Sequence, residues 1–270
     1  MEINGKPRCK WPEADVLILA GDVWNGWRLR SVANDANSRK HKKNAQYLID
    51  KVFPKYKLVL AVMGNHEHYG SYLSQTEEFI RDFHKDCPNF KLLHGEKYVF
   101  ENVVFIGATL WTNYMRGNQL EMTICQQFMN DYRCIGRIDD KPITPLDIIQ
   151  VHYNELDLMD CLMDINVFGD QKIVFITHHP PTLKSLASAH VGNGLDAAFA
   201  SDLSSFIEEH PQISMWFHGH THENFDYMCF NTRVLANQCG YNHEVSYRNF
   251  KVQRVYLDVQ DPESSDRDIS

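Results

Sequence analysis

The sequence predicts an α/β fold. Apolar runs of strand length alternate with segments whose apolar residues recur at helical spacing, and four of the runs stop at clusters of Gly, His, Asn or Asp. The 43% hydrophobic and 12% aromatic content of 270 residues supplies material for a folded core. One domain over residues 1–257 is expected, followed by a polar, acidic, disordered tail at 258–270, with no internal repeat or linker.

The elements follow in order. Asp15 to Ala20 reads as a strand buried on both faces, stopped by Gly21 and carrying Asp22 at its carboxyl end. Arg39 to Lys51, with Ala45, Leu48 and Ile49 on one side, reads as a helix. Leu58 to Met63 is a second strand, ending in Gly64-Asn65-His66-Glu67. Thr76 to Lys85 predicts another helix, and Lys97 to Phe100 with Val103 to Ala108 a hairpin turning at Glu101-Asn102. Gly107 to Ile143 is irregular and is expected to form loops and short helices over one sheet edge. Thr144-Pro145 then starts a long helix to about Asp164, with Leu146, Ile149, Tyr153, Leu156 and Met163 as its buried stripe. Lys172 to Thr177 is a third strand ending in His178-His179-Pro180-Pro181, and Ala197 to Glu209 an amphipathic helix. Met215 to Phe217 is a fourth strand ending in His218-Gly219-His220-Thr221-His222, with further strands at Arg233 to Ala236 and Val252 to Leu257.

No apolar run approaches the roughly 18 to 20 residues that span a bilayer, and the first residues lack a signal peptide's apolar stretch, so a cytoplasmic location is expected. The seven cysteines are scattered without a C-x-x-C pair and read as reduced thiols. A net charge of −8 disfavours nucleic acid as a partner and fits a small phosphorylated substrate drawn in by bound metal. Protein partners are not indicated.

Strand ends are where open α/β sheets bind ligands, so the four clusters should converge. They offer a carboxylate (Asp22), an amide oxygen (Asn65) and imidazoles (His178, His220, His222), with no thiolate. Mixed N and O donors suit Mn²⁺, Fe or Zn²⁺, and one carboxylate amid imidazoles can bridge two ions, an arrangement that attacks phosphate esters. Taken singly, Gly21-Asp22 is also an ordinary turn, Gly64 to Glu67 a turn into a helix, and His220-Thr221-His222 an exposed pair; the combination carries the reading.

In that combination the chain resembles the calcineurin-like metallophosphoesterase superfamily, whose pattern is D-x-H, G-D, G-N-H-[DE], a lone His after a strand, and G-H-x-H. Gly21-Asp22, Gly64-Asn65-His66-Glu67, Thr177-His178-His179-Pro180 and Gly219-His220-Thr221-His222 match it. Ala108 to Thr112, Met129 to Arg133 and Thr232 to Val234 are similar to stretches of its small bacterial and phage-type cytosolic members. The resemblance implies a two-sheet sandwich flanked by helices and two divalent or trivalent ions, Mn²⁺ foremost. It further implies a bridging Asp22, with Asn65, His178 and His220 at one ion and His222 at the other. His66 would face the substrate as a catalytic group. The activity implied is hydrolysis of phosphomonoesters or phosphodiesters through a metal-bound hydroxide.

One part of the pattern is missing. No D-x-H precedes Gly21-Asp22, which leaves the ion beside His222 with only Asp22 and His222 and the sheet without its first strand. The expectation is that the chain starts too late, that Met1-Glu2 is a remnant of that segment, and that an in-frame D-x-H is encoded upstream. The alternative is a catalytically weak or inactive protein-binding scaffold, as in the phosphoesterase-fold subunit of retromer; a nuclease of the same superfamily is disfavoured by charge. His179 is the nearest rival to His178. His68, His94, His152, His190 and His243 read as surface or core histidines, with His190 a candidate for lining the pocket. Arg133 reads as a surface pairing residue or a phosphate contact, and Trp24 and Trp27 as site walls or core.

Overall fold

The computed structural model describes residues 9–31, 35–164, 171–188, 191–192, 194–241 and 243–257. Its strands are β1 (Val16–Ala20), β2 (Leu58–Val62), β3 (Ser71–Tyr72), β4 (Phe90–Leu92), β5 (Glu96–Phe100), β6 (Val103–Ala108), β7 (Ile135–Gly136), β8 (Lys172–Thr177), β9 (Ile213–His218), β10 (Phe225–Cys229) and β11 (Thr232–Ala236). The helices are α1 (Gly26–Arg30), α2 (Ala36–Lys51), α3 (Thr76–Phe83), α4 (Tyr114–Gly117), α5 (Gln119–Phe128), α6 (Asp131–Cys134), α7 (Pro145–Asp164), α8 (Asp196–Phe199), α9 (Ser204–Glu209) and α10 (Val245–Asn249).

Two sheets make the frame. β1, β2 and β4 form a parallel sheet in the order β1-β2-β4, and the larger sheet runs β10-β11-β9-β8-β6-β5, parallel in its centre and antiparallel at both edges. The two-residue side-chain period of a strand explains how β2 is buried on both faces. Leu58, Leu60 and Val62 point at Phe105, Val174 and Ile176 of the larger sheet, while Val59 and Ala61 pack with Ala45 and Leu48 of α2. On the far side, Ile106, Phe175 and Trp216 of the larger sheet meet Met159 and Met163 of α7 and Ile207 of α9. The order helix, sheet, sheet, helix is thus set by apolar residues on both faces of the central strands. Each fully buried Leu, Val or Phe stabilises by about 1.5–3 kcal/mol.

The strand ends align. Ala20 pairs with Val62, so the chain leaves β1 and β2 side by side. Ala108 pairs with Thr177, and Ala236 with His218, so β6, β8, β9 and β11 end together. The hairpin of β5 and β6 closes with a two-residue turn in which Glu101 has φ +53°, matching the expected turn.

Four expectations are corrected. The buried face of α7 is Ile148, His152, Glu155, Met159 and Met163, whereas Leu146 is 65% and Tyr153 40% exposed. Two polar residues sit on the core face because they bond the backbone after β6: Glu155 Oε2 accepts the Leu110 N–H at 2.7 Å, and the His152 Nδ1 meets the Trp111 carbonyl. The helix expected over Ala197 to Glu209 is two, α8 and α9. Between them the Leu203 N–H bonds the Pro181 carbonyl at 2.8 Å and the Ser201 hydroxyl accepts from the Asn113 N–H at 3.0 Å, pulling the backbone out of helix. Val252 to Leu257 joins no sheet; Val255 and Leu257 rest on the inter-sheet core, so apolar contact rather than a ladder produces the alternation. β1 is not buried on both faces: Leu17 is buried, while Val16, Ile18, Leu19 and Ala20 keep partial exposure because the strand pairs with β2 alone among the described residues. The segment before Ile143 forms short helices as expected, α4 to α6, together with β7, which pairs in parallel with β3. The Met1-Glu2 remnant, His190 and the tail at 258–270 lie outside the described residues.

Among the described residues β1 pairs with β2 alone. Along its other edge runs a cavity of about 590 Å³ between the sheets, lined by Val16, Ile18, Met215, Phe217 and Leu235 and reaching Asp22 at one end.

Candidate metal centre

Close backbone approach at the strand ends is permitted by glycine. A Cβ on Gly21 (φ +85°) would lie 2.3 Å from His178 Nδ1, and one on Gly64 would lie 2.3 Å from Asp22 Oδ1. Any side chain there would fill the space the ligand groups occupy. Asp22, His220 and His222 themselves adopt left-handed φ values of 56°, 74° and 58°. Such backbone costs about 1–3 kcal/mol per residue and collects at functional sites.

The donors converge on His178. Its Nδ1 stands 2.8 Å from the Ala20 carbonyl, which can only accept, so the proton sits on Nδ1 and Nε2 carries a lone pair. That Nε2 lies 3.1 Å from Asn65 Oδ1, 3.1 Å from His220 Nδ1 and 3.5 Å from Asp22 Oδ1. Four electron-rich atoms therefore face one another with at most one hydrogen among them, and the buried His220 Nε2 has no partner. Two donors each about 2.1 Å from one ion stand about 3.0–3.4 Å apart in octahedral or tetrahedral geometry, so the spacing fits a divalent cation. Ligand atoms of Asp22, His178 and His220 lie within 4.8 Å of one another, the one such His, Cys, Asp or Glu group among the described residues.

Electrostatics favour the ligand forms. Burial holds His178, His179 and His220 below the ordinary imidazole range and therefore neutral. Burial alone would raise Asp22, but the neighbouring His178, His66 and His220, which take up charge as pH falls, outweigh it and hold the carboxyl well below its usual range.

Glu67, fully buried, braces the turn. Its Oε2 accepts the N–H groups of Asp22 (2.8 Å) and Gly64 (2.7 Å), and its Oε1 those of Val23 (2.7 Å) and Trp24 (2.8 Å). Burial, then the Asp22 charge, push Glu67 up to about 7, against the N–H groups that favour its charged form.

The other expected residues take distinct places. His222 is outside the compact group; its Nδ1 pairs with Glu244 at 3.0 Å, a contact that orients the ring. His66 is half-buried, its ring stacked on Tyr69 and its Nε2 3.2 Å from the Tyr241 hydroxyl, while its backbone N–H donates to Asp22 Oδ1 at 3.0 Å. His179 Nδ1 faces the Thr109 carbonyl at 3.3 Å. His68 and His152 are buried, His94 lies 3.7 Å from Glu155, and exposed His243 stacks on Tyr241. Arg133 is exposed and donates to the Gln127 carbonyl. Trp24 packs into the core against His84 and Phe90, and Trp27 is 49% exposed beside Gly70. Sequence reasoning assigned no role to Glu67, Tyr69, Asp131, Tyr241 or Glu244. Glu67, inside a recognised motif, and Asp131, inside the family-like stretch Met129 to Arg133, carried a signal.

Comparison with known proteins gives the fold and the family. An uncharacterized protein of Acanthamoeba polyphaga mimivirus, L509, is 27% identical over 259 residues, 90% of this chain and 83% of its own. The phosphopantetheinyl hydrolase of Mycobacterium tuberculosis shares the fold, with a TM-score of 0.60 at 14% identity, over 88% of this chain and 84% of that one. The model of the calcineurin-like phosphoesterase family matches residues 3–224, so the chain belongs to that family.

Proposed function

We propose that the chain is a metal-dependent phosphoesterase acting on small phosphorylated substrates. The observation that carries this reading is the convergence of Asn65 Oδ1, His220 Nδ1 and Asp22 Oδ1 within 3.1–3.5 Å of the His178 Nε2 lone pair. A divalent ion held there, Mn²⁺ foremost with Fe or Zn²⁺ as alternatives, would polarise a phosphoryl oxygen and acidify a water molecule.

The chain's own residues do the rest. The Ala20 carbonyl fixes the His178 tautomer, Glu67 holds the Asp22 turn, and burial keeps the imidazoles neutral. His66, half-buried beside Tyr241, would give a proton to the departing ester oxygen. His222, oriented by Glu244, would hold a second ion together with Asp22.

That second site is short of ligands among the described residues. The groove along the free edge of β1 supports a seat for one more strand, whose carboxyl end would meet Asp22 and His222. No helix of the described residues is long and apolar enough to cross a membrane.

Hydrolysis of p-nitrophenyl phosphate and bis(p-nitrophenyl) phosphate by chelated and Mn²⁺-reconstituted protein tests the function. Turnover of at least one ester, lost on chelation and restored by metal, is expected; no turnover of either with metal bound would overturn it.

A further inference from the structure

An asparagine ligates a metal through its oxygen alone, yet its carboxamide can be turned half a circle to present the NH₂ group instead. At Asn65 both orientations are chemically plausible without a cation. With Oδ1 toward His178 Nε2, as observed at 3.1 Å, two electron-rich atoms meet; turned over, the amide would donate a hydrogen bond to that same lone pair. Something outside the four donors must hold the amide the other way.

Asp131 lies 66 residues further on, at the first turn of α6, and is buried. Its Oδ1 accepts from Asn65 Nδ2 at 2.8 Å and from the Tyr69 hydroxyl at 2.7 Å, while that hydroxyl also stands 3.3 Å from Asn65 Nδ2. Turning the amide would set Asn65 Oδ1 against the Asp131 oxygen, acceptor against acceptor. We propose that Asp131 is a positioning residue for the metal: through Asn65 Nδ2 it compels the amide oxygen to face the ion. This rests on the metal reading of the site. It also makes the segment around α6, remote in sequence from every ligand, part of the centre's support. α6 is anchored in turn by the hydrogen bond between the Tyr132 and Tyr114 hydroxyls and by the β3–β7 pair that follows it.

The test is Mn²⁺ affinity by titration calorimetry of wild type, Asp131→Ala, Asp131→Asn, Asp131→Leu and Asn65→Ala, with circular dichroism and metal-free melting recorded alongside. Asp131→Ala should weaken Mn²⁺ binding about 10- to 100-fold, as loss of an outer-shell partner does, approaching Asn65→Ala. Asp131→Asn keeps an oxygen that can accept from Asn65 Nδ2 and should restore most of the affinity, whereas Asp131→Leu, of similar size but without an acceptor, should not; a packing role would predict rescue by both. Asp131→Leu also replaces the alanine variant if that one does not fold. Wild-type affinity in a folded Asp131→Ala or Asp131→Leu protein would overturn the assignment while leaving the metal reading intact. Absence of Mn²⁺ binding by the wild type would overturn the metal reading and this assignment together.

Discussion

Glu67→Gln replaces one acceptor oxygen of a buried carboxylate by an NH₂ group. Whichever way the new amide turns, two of the four backbone N–H groups at 2.7–2.8 Å lose their acceptor and face a donor. Each buried donor left unsatisfied costs about 1–3 kcal/mol, so the variant should lose about 2–6 kcal/mol out of a total of about 5–15 kcal/mol. Urea unfolding of the metal-free protein, followed by tryptophan fluorescence, measures the loss without a contribution from bound metal. Work at pH 8 keeps the carboxyl, raised to about 7, largely ionised in the reference protein. Glu208→Gln, an exposed substitution of the same chemistry on α9, should shift stability by less than about 0.5 kcal/mol. A Glu67→Gln loss below about 1 kcal/mol would refute the claim that this carboxylate holds the Asp22 turn.

His66→Ala should keep its metal and lose far more kcat on alkyl phosphates than on p-nitrophenyl phosphate, because a poor leaving group needs the proton and a nitrophenolate does not; general acid help is worth roughly 10²–10⁴ in rate. Equal losses would point to electrostatic stabilisation instead, and loss of metal would move His66 into the ligand set. At His84, burial against Phe90 and Trp24 lowers the imidazole from 6.5 to about 4. The unfolded chain takes up a proton below pH 6.5 that the folded chain refuses until about pH 4, so stability present above 6.5 is lost as pH falls through that window. The loss is about 3 kcal/mol at its limit. The stability gap between wild type and His84→Phe, measured from pH 7.5 to 4.5, should shift in favour of the variant as pH falls; a constant gap would contradict the assignment.

The strands and the site were legible to different depths. β2 and β8 are buried on both faces and appear as apolar runs, β1 and β9 are apolar enough to be read beside them, and the shared carboxyl ends of the four place Asp22, Asn65, His178 and His220 together. The stripe of α7 was misphased because His152 and Glu155 occupy core positions for the sake of the Trp111 and Leu110 backbone, a demand no periodicity displays. The break between α8 and α9 depends on Pro181 and Asn113, both distant in sequence. The role of Asp131 was unreadable for the same reason: its stretch resembles family members, but its partners, Asn65 and Tyr69, precede it by more than sixty residues. The glycines were read as turn formers, yet Gly64 serves chiefly to let Asp22 and His178 approach.

The central claim is that catalysis requires an ion held by Asp22, Asn65, His178 and His220. Titrating Mn²⁺ into chelated protein, with bound metal followed by electron paramagnetic resonance and turnover of p-nitrophenyl phosphate followed in the same samples, tests it directly. Occupancy and turnover should rise together from zero in the wild type, and neither should rise over the same range in His178→Ala. Full turnover before any metal is bound, or undiminished metal-dependent turnover in His178→Ala, would contradict the account.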